Sequence, residues 1–134
     1  MAQKQSSSRK RSQVSSVEVH IKMSFNNIIT TVTDTYGNVI SWSSGGKMGF
    51  KGSKKATPHS ANLVMKNALT IAVDNFNFKN VKTLRIRGIC PSRDAAIRSA
   101  MDFVASKNMP PIESIIEETP VAHNGCRPPK KRRV

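Results

Sequence analysis

The run Gly45-Gly46-Lys47-Met48-Gly49-Phe50-Lys51-Gly52-Ser53-Lys54-Lys55 interleaves four of the chain's seven glycines with four lysines. Glycine lets a backbone take positive φ and come close to a partner. Lysine brings a compact positive charge with three donors. Thr57-Pro58 then reads as a helix start, with Thr57 as N-cap and Pro58 at the first helical position. A basic glycine loop running into a helix N-terminus suits an anion, because free N–H groups and the helix dipole both favour one. No Asp or Glu occurs from Thr35 to Val73. The chemistry is phosphate contact and not nucleotide hydrolysis, since the Gly-x-x-x-x-Gly-Lys-Ser/Thr spacing is missing. Lys47, Lys51, Lys54 and Lys55 are the candidate phosphate ligands; the competing reading is a solvated, flexible loop.

Three further segments carry the same chemistry. Residues 1–15 are rich in Ser, Gln, Lys and Arg, and Arg9, Lys10 and Arg11 mark them as a basic arm too polar to fold alone. A solubilising tail and an organelle transit peptide are the competing readings of that arm. Gly88-Ile89-Cys90-Pro91-Ser92-Arg93 is a second loop leading into a helix, with Ser92 as expected N-cap and Arg93 as a second anion ligand. An ordinary strand-to-helix turn is its competing reading. The end of the chain, from Pro120 to Val134, has no acidic residue and carries His123, Asn124, Arg127, Lys130, Lys131, Arg132 and Arg133. Its prolines keep it extended, and an extended cationic strand can thread between phosphates. Phe50 and Trp42 are rings able to stack on bases, although Trp42 is expected in the core.

The elements that must position these residues follow from periodicity. Val17, Val19, Ile21 and Met23 alternate with polar residues and predict a half-buried strand. Ile28 to Thr33 is a β-branched second strand, Asp34 to Asn38 a hairpin loop, and Val39 to Ser43 a third strand. Pro58 to Phe76 is the main helix, with a stripe at Ala61, Val64, Met65, Ala68, Ala72 and Phe76 widened by Leu63, Leu69, Ile71 and Val73. His59 in its first turn is expected to cap or pack. Val81 to Arg87 is a strand with Arg85 and Arg87 outward. Arg93 to Ala105 is a helix with a stripe at Ala96, Ile97, Ala100, Met101 and Val104, and Ile112 to Glu118 is the last strand. The order βββαβαβ predicts a single α/β domain over residues 16–119, a mixed sheet with helices packed on its faces. An arm at 1–15 and a tail at 120–134 flank it.

The 134 residues carry 22 basic and 8 acidic side chains, a net charge of +14, which asks for a polyanion. Nucleic acid ranks first and a membrane surface second, but no apolar run approaches the ~18 residues of a spanning helix. Cys90 and Cys126 are too few for a disulfide framework or a four-ligand metal site. No cofactor and no small-molecule substrate is expected.

The ending His123-Asn124-Gly125-Cys126-Arg127-Pro128-Pro129-Lys130-Lys131-Arg132-Arg133-Val134 closely resembles that of protein eleven of the small ribosomal subunit, in its bacterial and organellar form. Ser24-Phe25-Asn26-Asn27, Thr33-Asp34, Gly37-Asn38, Gly49-Phe50-Lys51-Gly52-Ser53, Thr57-Pro58 and Glu118-Thr119-Pro120 are similar to the same family, over about residues 17 to 134. The resemblance implies a sheet topology like that of ribonuclease H. It also implies binding to small-subunit (16S-type) rRNA in the platform, beside other platform proteins and the messenger RNA exit path. The setting would be a bacterial cytoplasmic ribosome or an organellar one. The family's second loop has the form Gly-Pro-Gly-x-Gly-Arg, whereas Cys90 and Ser92 stand here at two of its glycines.

Two other functions compete. Pro129-Lys130-Lys131-Arg132-Arg133-Val134 also looks like a nuclear localisation signal, which would suit a DNA-binding protein. Both helices, however, show apolar stripes and few basic residues. A metal-dependent nuclease would need carboxylates converging on metal ions, and only Glu18 and Asp34 lie near the first strands. Cys126 and His123 lie on a tail with no scaffold to make a catalytic pair. Asn124-Gly125 is a candidate for conversion to isoaspartate, since glycine leaves the next amide nitrogen unhindered.

Overall fold

The computed structural model describes residues 14–134, and Arg9, Lys10 and Arg11 lie outside the described residues. The elements are β1 (Ser16–Met23), β2 (Ile28–Asp34), β3 (Val39–Ser44), a 3-10 turn (Gly52–Ala56), α1 (Pro58–Phe76), β4 (Asn80–Arg87), α2 (Arg93–Ser106) and β5 (Ser114–Glu117). The expected order is therefore present. The sheet runs β3-β2-β1-β4-β5, antiparallel across β3-β2-β1 and parallel across β1-β4-β5. The two crossovers, β3 through α1 to β4 and β4 through α2 to β5, step in the same direction. Right-handed crossovers of that kind place both helices on one face, and α1 packs directly on α2. The helices thus share one face of the sheet instead of covering both as expected, and among the described residues no helix covers the other.

The core lies between that face and the helices. Val17, Val19, Ile21, Leu84 and Ile86 project from the central strands against Val64, Met65, Ala68, Leu69 and Ala72 of α1, all at most 1% exposed. The α1 stripe is the expected one, except that Phe76 is half-buried; Leu63, Ile71 and Val73 are half-buried as well. Thr57 caps α1 as expected, its Oγ1 accepting the Ser60 N–H at 3.3 Å.

Four expectations are corrected. Trp42 is 50% exposed and faces the open side of the sheet. The strand's two-residue period turns Ser41 and Ser43 inward instead, and both bond α1: Ser41 Oγ donates to the Ala68 carbonyl at 2.7 Å, and Asn67 Nδ2 donates to Ser43 Oγ at 3.0 Å. Small serines let helix and strand approach where an indole would not fit. On α2 the buried stripe is Ala96, Ser99, Ala100, Phe103 and Val104, while Met101 is 46% exposed. The helix is rotated toward α1, to which Ser99 Oγ donates at the Asn62 carbonyl, 3.3 Å. Ser92 does not cap α2 with its side chain; its Oγ donates to the Ala56 carbonyl. The last strand is the short Ser114–Glu117, exposed throughout. Pro110 and Pro111 have no N–H to give a ladder, so pairing starts after them.

Candidate nucleic-acid interface

The glycine-lysine loop is folded. Gly45 N–H donates to the Ile28 carbonyl at 3.2 Å, Met48 N–H to Ser44 at 3.1 Å and Phe50 N–H back to Gly45 at 3.1 Å. A Cβ on Gly45 would meet the Lys55 carbonyl oxygen at 2.8 Å, so only glycine lets the loop close on the turn before α1. His59 packs, as expected, edge-on to Phe50 with ring centroids 5.9 Å apart. Lys51 and Lys54 are exposed and Lys55 is half-buried. Lys47 Nζ donates to the Trp42 carbonyl at 3.0 Å and stands 4.4 Å from the centre of the Trp42 ring. Among the described residues, none of the four lysines forms an ion pair.

The second loop is fastened to the first. Ser92 Oγ donates to the Ala56 carbonyl, and Cys90 Sγ lies 3.8 Å from the same oxygen. The Cys90 and Ser92 side chains therefore both reach the end of the lysine loop. Gly88 has φ +104, and its N–H donates to Thr119 Oγ1 at 3.2 Å. Arg93 is brought beside this clasp, but its Nη1 donates to Glu117 Oε1 at 2.8 Å. That hydrogen bond holds the Glu117 carboxyl below its usual range. Arg93 thus has a carboxylate partner at the surface, unlike the four lysines.

His123, Asn124, Arg127, Lys130, Lys131, Arg132 and Arg133 are all exposed, on a segment without helix or strand. Among the described residues these cations have no carboxylate partner either. Asn124 and Gly125 both take positive φ, 75° and 69°. Cys126 is exposed and Cys90 buried, both as free thiols.

Register adds a basic patch that periodicity could not assemble. On the open face, Trp42 pairs with Thr31, Thr31 with His20, and His20 with Arg85. Lys22 lies beside Arg87. His20, Lys22, Arg85 and Arg87 help line a shallow pocket of about 160 Å³. The outward parity of His20, Lys22, Arg85 and Arg87 was readable, but that β1 and β4 are neighbours was not. Arg85 is engaged, with Glu18 at 3.4 Å and Glu118 in contact. Asp34, the carboxylate nearest to a nuclease role, accepts from Asn38 Nδ2 at 3.0 Å, Tyr36 N–H at 2.9 Å and Asn38 N–H at 2.8 Å. These bonds, that of the Asn38 side chain first, hold its carboxyl below the ordinary value. Among the described residues no helix is long and apolar enough to cross a membrane, and no three His, Cys, Asp or Glu gather as a metal group would require.

A family model described as ribosomal protein S11 matches residues 17–133. Curated relatives named small ribosomal subunit protein uS11 are similar over nearly the whole chain. The protein of Chromohalobacter salexigens is 44% identical over 135 residues, covering 100% of each chain. That of Shewanella denitrificans is 45% identical, covering 94% of this chain and 92% of its own. That of Chromobacterium violaceum is 46% identical, covering 92% and 89%.

Proposed function

The chain belongs to the ribosomal protein S11 family, and from that premise we propose how its residues hold rRNA. It is a non-enzymatic structural constituent of the small ribosomal subunit, bound to 16S-type rRNA and to neighbouring ribosomal proteins. Its relatives are bacterial, so its setting is the cytoplasmic ribosome. Its place there is the platform near the messenger RNA exit path.

The division of labour is an arm at 1–15, a body at 16–119 and a tail at 120–134. The body is a mount for cations. The observation that carries this reading is the folded lysine loop and the exposed tail, whose charges meet no carboxylate among the described residues. An ammonium without a carboxylate partner at the surface keeps its charge for a phosphate, whereas one in an ion pair must first give up that partner. Lys47, Lys51, Lys54, Lys55, Arg127, Lys130, Lys131, Arg132 and Arg133 therefore make the main phosphate contacts. Arg93, held by Glu117, contributes as a clasp for the second loop. Trp42, exposed under Lys47, offers a face on which a base can stack.

Binding of the full chain to small-subunit rRNA should fall steeply with salt. Each phosphate contact releases counterions, so nine contacts give a log–log slope of roughly −6 to −8. Filter binding or anisotropy across a salt series measures it, and a slope near zero overturns the assignment. The competing functions lack support. Both helices turn their apolar stripes to the core, and Asp34 and Glu18 are committed to a turn and an ion pair.

Asn124, exposed at positive φ before Gly125, is the modification site of this reading. A peptide map of the mature protein should show isoaspartate at position 124. A map showing only asparagine there rules it out.

A further inference from the structure

The face of the sheet turned away from the helices carries two cations that the fold does not use. Lys22 of β1 and Arg87 of β4 are register partners. Both are exposed, and among the described residues neither forms an ion pair. Like charges side by side on paired strands repel, so this pairing works against the fold and is relieved when an anion sits between the two. The carboxylates of the same face, Glu18 and Glu118, are both held by Arg85, two residues back along β4. The hollow of about 160 Å³ beside Lys22 and Arg87 is walled by Ile29 and Thr31 of β2; Glu118 borders it while bound to Arg85.

This hollow is continuous with the lysine loop. The loop leaves β3 directly after Ser44, and its Lys47 folds back to within 4.4 Å of the centre of the Trp42 ring. Trp42 is 50% exposed on the same face. Trp42 pairs with Thr31, and Ile29, two residues from Thr31, pairs with Lys22. Strand spacing of ~4.8 Å and a rise of ~3.3 Å per residue therefore put Trp42 roughly 12 Å from Lys22, a span that a short piece of nucleotide chain covers. Charge alone would also admit an acidic peptide. A polyanion already held at the lysine loop, however, brings its next phosphates here. The bare indole decides the kind of nucleic acid: bases in a duplex stack on each other, whereas an unpaired base can lie on a protein ring.

We infer that the open face holds an unpaired stretch of rRNA, with a phosphate between Lys22 and Arg87 and a base against Trp42. The inference rests on the rRNA reading above. It adds a surface separate from the tail, and it names the RNA there as single-stranded loop and not helix.

The test measures binding of the full chain to small-subunit rRNA near 0.1 M salt. Lys22→Gln with Arg87→Gln should lower affinity about tenfold and flatten the salt slope by roughly 0.7 log units per log unit, the share of one phosphate on a single strand. Trp42→Ala should lower affinity about tenfold with the slope unchanged, since stacking releases no counterions. The thermal midpoint of the Lys22/Arg87 double variant should hold or rise, because the substitutions remove a repulsion; a role confined to the fold would lower it. In intact small subunits, the photoreactive residue benzoylphenylalanine at Ile29, beside Lys22, should form an adduct with an rRNA loop. Wild-type affinity in both variants overturns the inference, as does a protein adduct, a duplex adduct or no adduct at position 29. A wild-type chain whose binding ignores salt counts instead against the rRNA reading on which the inference rests.

Discussion

Deleting residues 120–134 should lower affinity for small-subunit rRNA on the order of a thousandfold near 0.1 M salt and flatten the salt dependence by roughly 3.5–4.5 log units per log unit. The segment carries Arg127, Lys130, Lys131, Arg132 and Arg133, all exposed and unpaired among the described residues. The cut must spare Thr119. Its Oγ1 receives the Gly88 N–H at 3.2 Å, and Glu118 before it binds both Arg85 and the Ile86 carbonyl. Beyond Thr119 every residue is exposed, so the thermal midpoint should move by no more than about 2 °C. A truncated chain that unfolds would make the tail part of the structure. One that binds rRNA with an unchanged slope would show that the tail's cations touch no phosphate.

The largest stability effect is expected at Gly88. A Cβ built there lies 1.9 Å from the Met23 carbonyl oxygen and 2.9 Å from its carbon, both backbone atoms of β1. The clash cannot be relieved by turning a side chain. It would require β1 and the exit of β4 to separate, where the two strands are paired through Lys22 and Arg87. The φ of +104 adds strain for any L-residue. Gly88→Ala should therefore cost about 3 kcal/mol or more, lowering the melting midpoint by roughly 10 °C or more. Gly49→Ala separates the two causes. Gly49 also has positive φ, +89, but nothing lies within 4 Å of its added Cβ, so it should lose only about 1–2 kcal/mol. Equal losses at the two positions would mean that strain alone acts and that β1 yields. Thermal unfolding by circular dichroism measures both.

Gly88 also bears on how this chain departs from its family. The second loop keeps the first glycine of the Gly-Pro-Gly-x-Gly-Arg form and replaces the other two with Cys90 and Ser92. The retained glycine is the one pressed against β1. The replaced positions are those whose side chains reach Ala56. The Cys90 and Ser92 side chains tie the two loops directly.

The sequence by itself determined the order of elements, the helix start at Thr57-Pro58, the parity of β1 and β4 and the identity of the cationic segments. These are local properties. Strand alternation, capping chemistry and the excess of charge are set by neighbours a few residues apart. The family, too, was legible in the basic ending and the short motifs before it. Only the tertiary structure decided which side of β3 is inside, since Ser41-Trp42-Ser43 alternates equally well either way. The helix selected the serines by bonding to both. It likewise decided that α2 buries Phe103 and leaves Met101 exposed, because the rotation of that helix answers to α1 and not to its own periodicity. And it decided which cations are free. Arg93 and Lys47 look alike as charges beside a glycine loop, yet one meets the Glu117 carboxylate from a strand 24 residues later and the other a tryptophan ring and its neutral backbone carbonyl. Charge is written in the chain, but whether a charge is spent inside the fold depends on contacts between residues far apart in it.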